Sequence, residues 1–230
     1  MASTTFGDRA DAGRKLAARL AEYAESRPIV LALPRGGVAV GYEVARALGA
    51  LLDVCVVRKL GVPWHPELGM GAVSEGGFIS LSHEILDYVG LTDDELSDVV
   101  EAERAEVERR VQRYCGDRPR PDLRGRTVIL VDDGIATGGT VRAAISAIRA
   151  QQPREIVLAV PVAAADTLQA LAPEVDRIVS LITPPDLHAI GYWYDDFQQV
   201  SDEEVVRLLQ RSREDQPPHE PPSAALGTPG

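Results

Sequence analysis

Two adjacent acids, Asp132 and Asp133, stand between an apolar run and a stretch of small residues in VILVDDGIATGGT, residues 128–140. Paired carboxylates at the end of a buried run are costly unless a cation or hydroxyl groups meet them. The residues that follow, Ala136, Thr137, Gly138, Gly139 and Thr140, combine two hydroxyls with glycine backbone where a helical pattern begins. Unpaired N–H groups and the helix dipole there accommodate a phosphate, and the glycines let it approach. A second candidate is Arg35-Gly36-Gly37 in LPRGGVAVG, residues 33–41. Arg35 can grip phosphate oxygens in bidentate fashion, and the two glycines suit an unusual backbone. On its own Arg-Gly-Gly is also a common turn, and its weight comes from the later loop. The third candidate is the cation pair Arg58 and Lys59 after the second apolar run, which by itself reads equally as two solvated charges. Together these residues describe a place for an anionic, phosphate-bearing ligand.

Five continuous apolar runs, residues 28–33, 51–57, 127–132, 155–160 and 177–182, must position these groups. Unbroken runs suit strands covered on both faces, as in a parallel sheet between helices. Helical patterns over 38–48, 139–151 and 163–171 separate most of them, which predicts a doubly wound, mainly parallel α/β sheet with right-handed crossovers. Ligands of such sheets bind at the carboxyl ends of strands, where Asp132 and Asp133 fall. Residues of about 60–126 break the rhythm and read as an insertion. It opens as a Gly/Pro-rich loop and continues as two short strands over 72–81, turning at Glu75-Gly76-Gly77. A helix then starts at a Thr92/Glu95 capping box, buries Leu96, Val100, Val107, Val111 and Tyr114, and ends at Gly116. An amphipathic helix over 6–23 precedes the sheet. A last helix opens at a Ser201/Glu204 capping box, with Val200 and Val205 as a hydrophobic staple. The domain is expected over 1–212, followed by a disordered tail over 213–230 that is rich in Pro and polar residues.

The chain has 230 residues, 45% hydrophobic and 26% charged, with a formal net charge of −11. That balance predicts a soluble globular protein and disfavours a nucleic-acid partner. Cys55, in an apolar run, suggests a buried free thiol, and two cysteines, Cys55 and Cys115, make a disulfide scaffold unlikely. The N-terminal residues lack the apolar segment of a signal peptide, and no apolar run reaches about 18 residues, so no membrane span and a cytoplasmic location are expected. His65, His83, His188 and His219 are scattered, without metal-ligand spacing.

Residues 134–140 have P-loop spacing without its lysine, and the acids are adjacent where an aspartyl phosphatase spaces them by one. Residues 129–140 resemble, over their full length, the phosphoribosyl pyrophosphate (PRPP) loop of the type I phosphoribosyltransferases. That family places a pyrophosphate loop after the first sheet strand, where residues 33–41 lie, and a mobile loop after the second, where Arg58 and Lys59 begin. FGDRADAGRKLAARL and YWYDDFQQVSDEE are also similar to a branch of predicted phosphoribosyltransferases, and the likeness spans about residues 6–210.

The resemblance implies Mg²⁺-dependent transfer of a phosphoribosyl group from PRPP to a small-molecule acceptor, usually a nitrogenous base, with release of pyrophosphate. It implies that Asp132 and Asp133 hold the ribose hydroxyls, directly or through the metal or water. It gives the 5-phosphate to Ala136, Thr137, Gly138, Gly139 and Thr140, and the pyrophosphate to Arg35, Gly36, Gly37, Arg58 and Lys59. A hood over about 183–199 is the acceptor candidate, with Tyr192, Trp193 and Tyr194 to stack on a ring and Asp195 or Asp196 to accept hydrogen bonds. The same aromatics serve equally to pack a small subdomain, and Trp64 and Glu67 offer another route to the acceptor. A non-catalytic sensor of PRPP or a nucleotide is the alternative implied by the wider family, and a phosphosugar hydrolase is a third reading. Enzymes of this fold often form dimers, so a homodimer is expected.

Overall fold

A computed structural model describes residues 5–215, apart from the side chain of Glu67. In chain order the elements are α1 (Arg9–Arg19), β1 (Ile29–Ala32), α2 (Gly36–Leu48), β2 (Leu51–Val54), β3 (Val57–Val62), β4 (His65–Ser74) and β5 (Ile79–Leu81). Next come α3 (His83–Val89), α4 (Asp93–Cys115), β6 (Thr127–Val131), α5 (Gly139–Ala150), β7 (Glu155–Val162), α6 (Ala165–Leu171), β8 (Arg177–Ile182) and α7 (Asp202–Glu214). All five apolar runs supply one parallel sheet, in the order β2-β1-β6-β7-β8. The continuity of the runs has a direct cause. Val30, Ala32, Ile129 and Val131 face one apolar cluster, and Ile29, Leu31, Val128 and Leu130 face another on the opposite side of the sheet. Leu16, Val38 and Val44 from α1 and α2, with Leu20 at the C-cap of α1, fill the first cluster, and Val141, Ile145 and Ile148 from α5 fill the second.

The run over 51–57 is not one strand. It ends its sheet pairing at Val54, and Cys55 and Val56 lead into β3, which belongs to a separate antiparallel sheet ordered β3-β4-β5. The Gly/Pro-rich stretch expected as a loop is therefore mostly a hairpin. Its glycines are needed for close pairing: a Cβ on Gly61 would stand 2.6 Å from the Pro66 carbonyl oxygen, and one on Gly71 would overlap that of Ser80. The ladder shifts register on both sides of Gly61, opposite the segment that contains Pro66, which has no N–H to donate.

Thr92 and Glu95 form the complete capping box of α4, and Gly116 ends that helix with φ 58°. The α4 helix packs on β3, β4 and α7. Only half of the second box forms. Ser201 accepts from the Glu204 N–H, while the Glu204 carboxylate turns to Arg207 at 3.4 Å. The α1 helix is shorter than its sequence pattern and is capped by Asp8, and a 3₁₀ segment, Ala21–Ser26, follows. The α7 helix runs to Glu214, and the tail expected over 213–230 lies outside the described residues from 216 onward.

Candidate functional site

The two sequence-distant loops meet because β1 and β6 are neighbours, with Ala32 in register with Val131. The Leu33 N–H still donates to the Val131 carbonyl at 2.9 Å, and then the chains part. One turns through Arg35 into α2, and the other presents Asp132 and Asp133. The Pro34–Arg35 peptide is cis. Gly36 and Gly37 lie inside α2 with no left-handed φ, so the unusual backbone expected of them is not the reason for glycine here. Close approach is. A Cβ on Gly36 would overlap Asp133 Oδ2 and stand 2.5 Å from Cγ, and one on Gly37 would stand 2.9 Å from the Val131 oxygen.

The acid pair is closely held. The Asp133 N–H donates to Asp132 Oδ1 at 2.9 Å, and Asp133 Oδ2 accepts from Arg9 Nε at 2.7 Å. Arg9 Nη1 donates to the Gln198 carbonyl at 2.7 Å, and the guanidinium carbon lies 3.9 Å from the centre of the Phe197 ring. Tyr194 donates its hydroxyl to the Asp133 carbonyl at 2.6 Å. Burial, and next the negative charge of Asp133, hold the Asp132 carboxyl well above the usual carboxylate range. No local pattern singles out Arg9, which lies in FGDRADAGRKLAARL, 124 positions along the chain from its acid.

Beyond the acids the loop is anchored from behind. Ile135 bridges to Ala163, with its N–H on the Val162 carbonyl at 3.0 Å, and Thr167 donates to the Ala136 carbonyl at 2.6 Å. Gly138 stands at the helix N-cap with φ 74° and supplies no side-chain cap. The N–H groups of Ala136 through Val141 meet no acceptor among the described residues. Lys59 arrives from β3: a Cβ on Gly139 would stand 3.7 Å from its Cδ, which places the lysine stem beside the start of α5. Pro34, Lys59 and Thr140, with Arg58, Glu103 and Arg110, line a cleft of about 580 Å³.

Other marked residues are placed differently. Arg58 faces that cleft but is forked onto Glu103 of α4, at 2.6 and 3.3 Å. The Arg35 guanidinium lies 3.8 Å from Asp202, whose carboxylate also accepts from the Tyr114 hydroxyl at 2.7 Å. Tyr194 is not free to stack on a ligand: it is 6% exposed and packs between Phe6 and Phe197, with centroids at 5.3 and 4.9 Å. Trp193 is half-buried in the same cluster. Asp195 accepts from the Thr5 hydroxyl at 2.9 Å. Tyr192 and Trp64 are 75% and 61% exposed, and Trp64 stands at the β3–β4 turn. Glu67 lies in β4, and its side chain is outside the described structure. A more apolar cavity of about 440 Å³, lined by Leu31, Cys55, Phe78, Arg120 and Leu123, includes none of the marked site residues. Among the described residues no three His, Cys, Asp or Glu side chains gather to hold a metal, and no helix is long and apolar enough to cross a membrane.

A family model described as the phosphoribosyl transferase domain matches residues 5–188. A Mycobacterium tuberculosis protein named provisionally as a phosphoribosyl transferase is 45% identical over 210 residues, 91% of this chain and 47% of the relative. The chain thus spans about half the length of the curated relatives it matches. The crystal structure of TT1426 from Thermus thermophilus is 42% identical with a TM-score of 0.82, covering 90% of this chain and 98% of that one. A Neisseria gonorrhoeae protein solved with bound ppGpp reaches a TM-score of 0.51 at 14% identity, over 91% of this chain and 95% of that one, a likeness of fold alone.

Proposed function

Because this chain belongs to the phosphoribosyl transferase domain family, we propose that it moves a phosphoribosyl group from PRPP to a small nitrogenous acceptor and releases pyrophosphate. The observation that carries the reading is the row of amides from Ala136 to Val141, without acceptors among the described residues, beside two touching acids. A dianionic phosphate satisfies such amides and the helix dipole together, and the hydroxyls of Thr137 and Thr140 add donors. Asp132 and Asp133 then face the ribose hydroxyls. As the bond from the sugar carbon to the pyrophosphate oxygen breaks, positive charge grows on the ring, and a negative field from the acid pair would stabilise it. The acceptor nitrogen forms the new bond to that carbon, and its electron pair replaces the one that leaves with pyrophosphate. Lys59 neutralises the leaving group, joined by Arg35 once it swings from Asp202. No protein nucleophile is required, so the rate comes from positioning and charge placement.

Two acids beside substrate oxygens suit Mg²⁺, which keeps waters and needs no all-protein cage. Asp132 and Asp133 would hold it through water or ribose hydroxyls, and its chemistry is to screen the pyrophosphate charge. Tyr192 and Trp64, both exposed, are the aromatic candidates for the acceptor. A cytoplasmic location and a homodimer form part of the same proposal.

The test is pyrophosphate release from PRPP and Mg²⁺ with a panel of bases. Asp133→Asn and Arg35→Ala are expected to abolish release while the circular dichroism spectrum stays native. Calorimetric binding of PRPP without release for any base would replace transfer by sensing. Equal hydrolysis of a phosphosugar that lacks pyrophosphate would replace it by a hydrolase.

A further inference from the structure

Arg9 is held more completely than a surface ion pair requires. Its Nε meets Asp133, its Nη1 meets the Gln198 carbonyl, its face lies on Phe197, and its side chain is 11% exposed. The α1 helix brings it there by packing closely on α2: a Cβ on Gly13 would stand 2.7 Å from the Val40 carbonyl oxygen. The segment before α1 is laced to the hood, with Phe6 N–H on the Trp193 carbonyl at 2.8 Å and Asp196 N–H on the Gly7 carbonyl at 2.9 Å. The Arg9–Asp133 contact lies directly over Gly36, whose added Cβ would stand 3.0 Å from Arg9 Nε.

We propose that Arg9 is a positioning residue: it fixes the carboxylate of Asp133 toward the ribose-binding side of the pocket and ties the seating of the hood to the geometry of the acids. The inference rests on the phosphoribosyl-transfer reading for its purpose, but its structural content does not. A carboxylate with one oxygen fixed by a guanidinium can turn in few ways. Released, Asp133 would sample several rotamers and meet a ligand in only some of them. The fork matters as well as the charge, because one group must span Asp133 and the Gln198 carbonyl and also lie flat on an aromatic ring.

Two measurements test this. The first is the side-chain rotamer of Asp133, followed by NMR in the unliganded protein. The second is calorimetric affinity for PRPP with Mg²⁺. In Arg9→Ala we expect averaged Asp133 rotamers and affinity reduced about tenfold or more, the scale of one charge-assisted hydrogen bond. Guanidinium ion should restore both, and methylammonium should not. Arg9→Lys should keep the melting temperature yet recover little affinity, and it carries the same measurements if Arg9→Ala does not fold. A single unchanged Asp133 rotamer in the variants overturns the proposal, as does wild-type affinity in Arg9→Ala. Failure of the wild-type protein to bind PRPP sinks the functional reading instead, and the rotamer measurement still decides Arg9.

Discussion

Gly36→Ala is the smallest change that tests how the site is assembled. Gly36 opens α2 with ordinary helical backbone, so alanine there would by propensity alone stabilise the protein, by up to about 1 kcal/mol. The added methyl has no room. It overlaps Asp133 Oδ2 and stands 2.5 Å from Cγ and 3.0 Å from Arg9 Nε. The acid must turn away, which breaks its contact with Arg9. Overpacking costs about 1–3 kcal/mol, and loss of a charge-assisted hydrogen bond costs a similar amount. Set against the propensity gain, a net loss of about 3 kcal/mol follows, or about 6–12 °C in melting temperature for a chain of this size. Affinity for PRPP should fall about tenfold or more in the same variant. Gly139→Ala is the control for the melt alone, because its methyl would meet only Lys59 Cδ, at 3.7 Å, while its amide belongs to the phosphate loop. Thermal melts on the two variants and calorimetry on Gly36→Ala decide the matter. A Gly36→Ala protein as stable and as competent in binding as the wild type would show that the acids do not rest on the glycine loop.

Three further outcomes are expected. The folded chain keeps the Asp132 proton to a higher pH than the unfolded chain does, so stability falls as pH climbs from the ordinary carboxylate range through the raised value. Asp132→Asn mimics the protonated acid and removes that slope. Urea midpoints of the two proteins should agree in acid and separate in favour of the variant toward alkaline pH. Tyr194→Phe leaves the Asp133 carbonyl without its 2.6 Å donor and should cost about 1–2 kcal/mol in urea titrations. Gly138→Ala forces a side chain into φ 74° and against Thr167 Cγ2 at 2.8 Å; a loss of about 1–3 kcal/mol and weaker phosphate binding should follow, read by melting and calorimetry.

The sequence by itself determined what depends on neighbours along the chain. Strands buried on both faces are written as unbroken apolar runs, so the five members of the main sheet were legible without coordinates. The Thr92 capping box and the stretch from Asp132 to Thr140 were legible for the same reason, since each lies within one turn or loop. Only the tertiary structure decided which distant groups would face one another. The break at Val54 and the hairpin built on Gly61 and Gly71 depend on a second sheet that no local pattern announces. Tyr194 looked like a ligand platform, and its partners Phe6 and Phe197 made it packing. Arg35 meets Asp202 of α7, and Arg9 meets Asp133 across 124 residues. Such pairings are fixed by where helices dock on the sheet. Docking follows from the sum of many buried contacts, and no short stretch of sequence contains that sum.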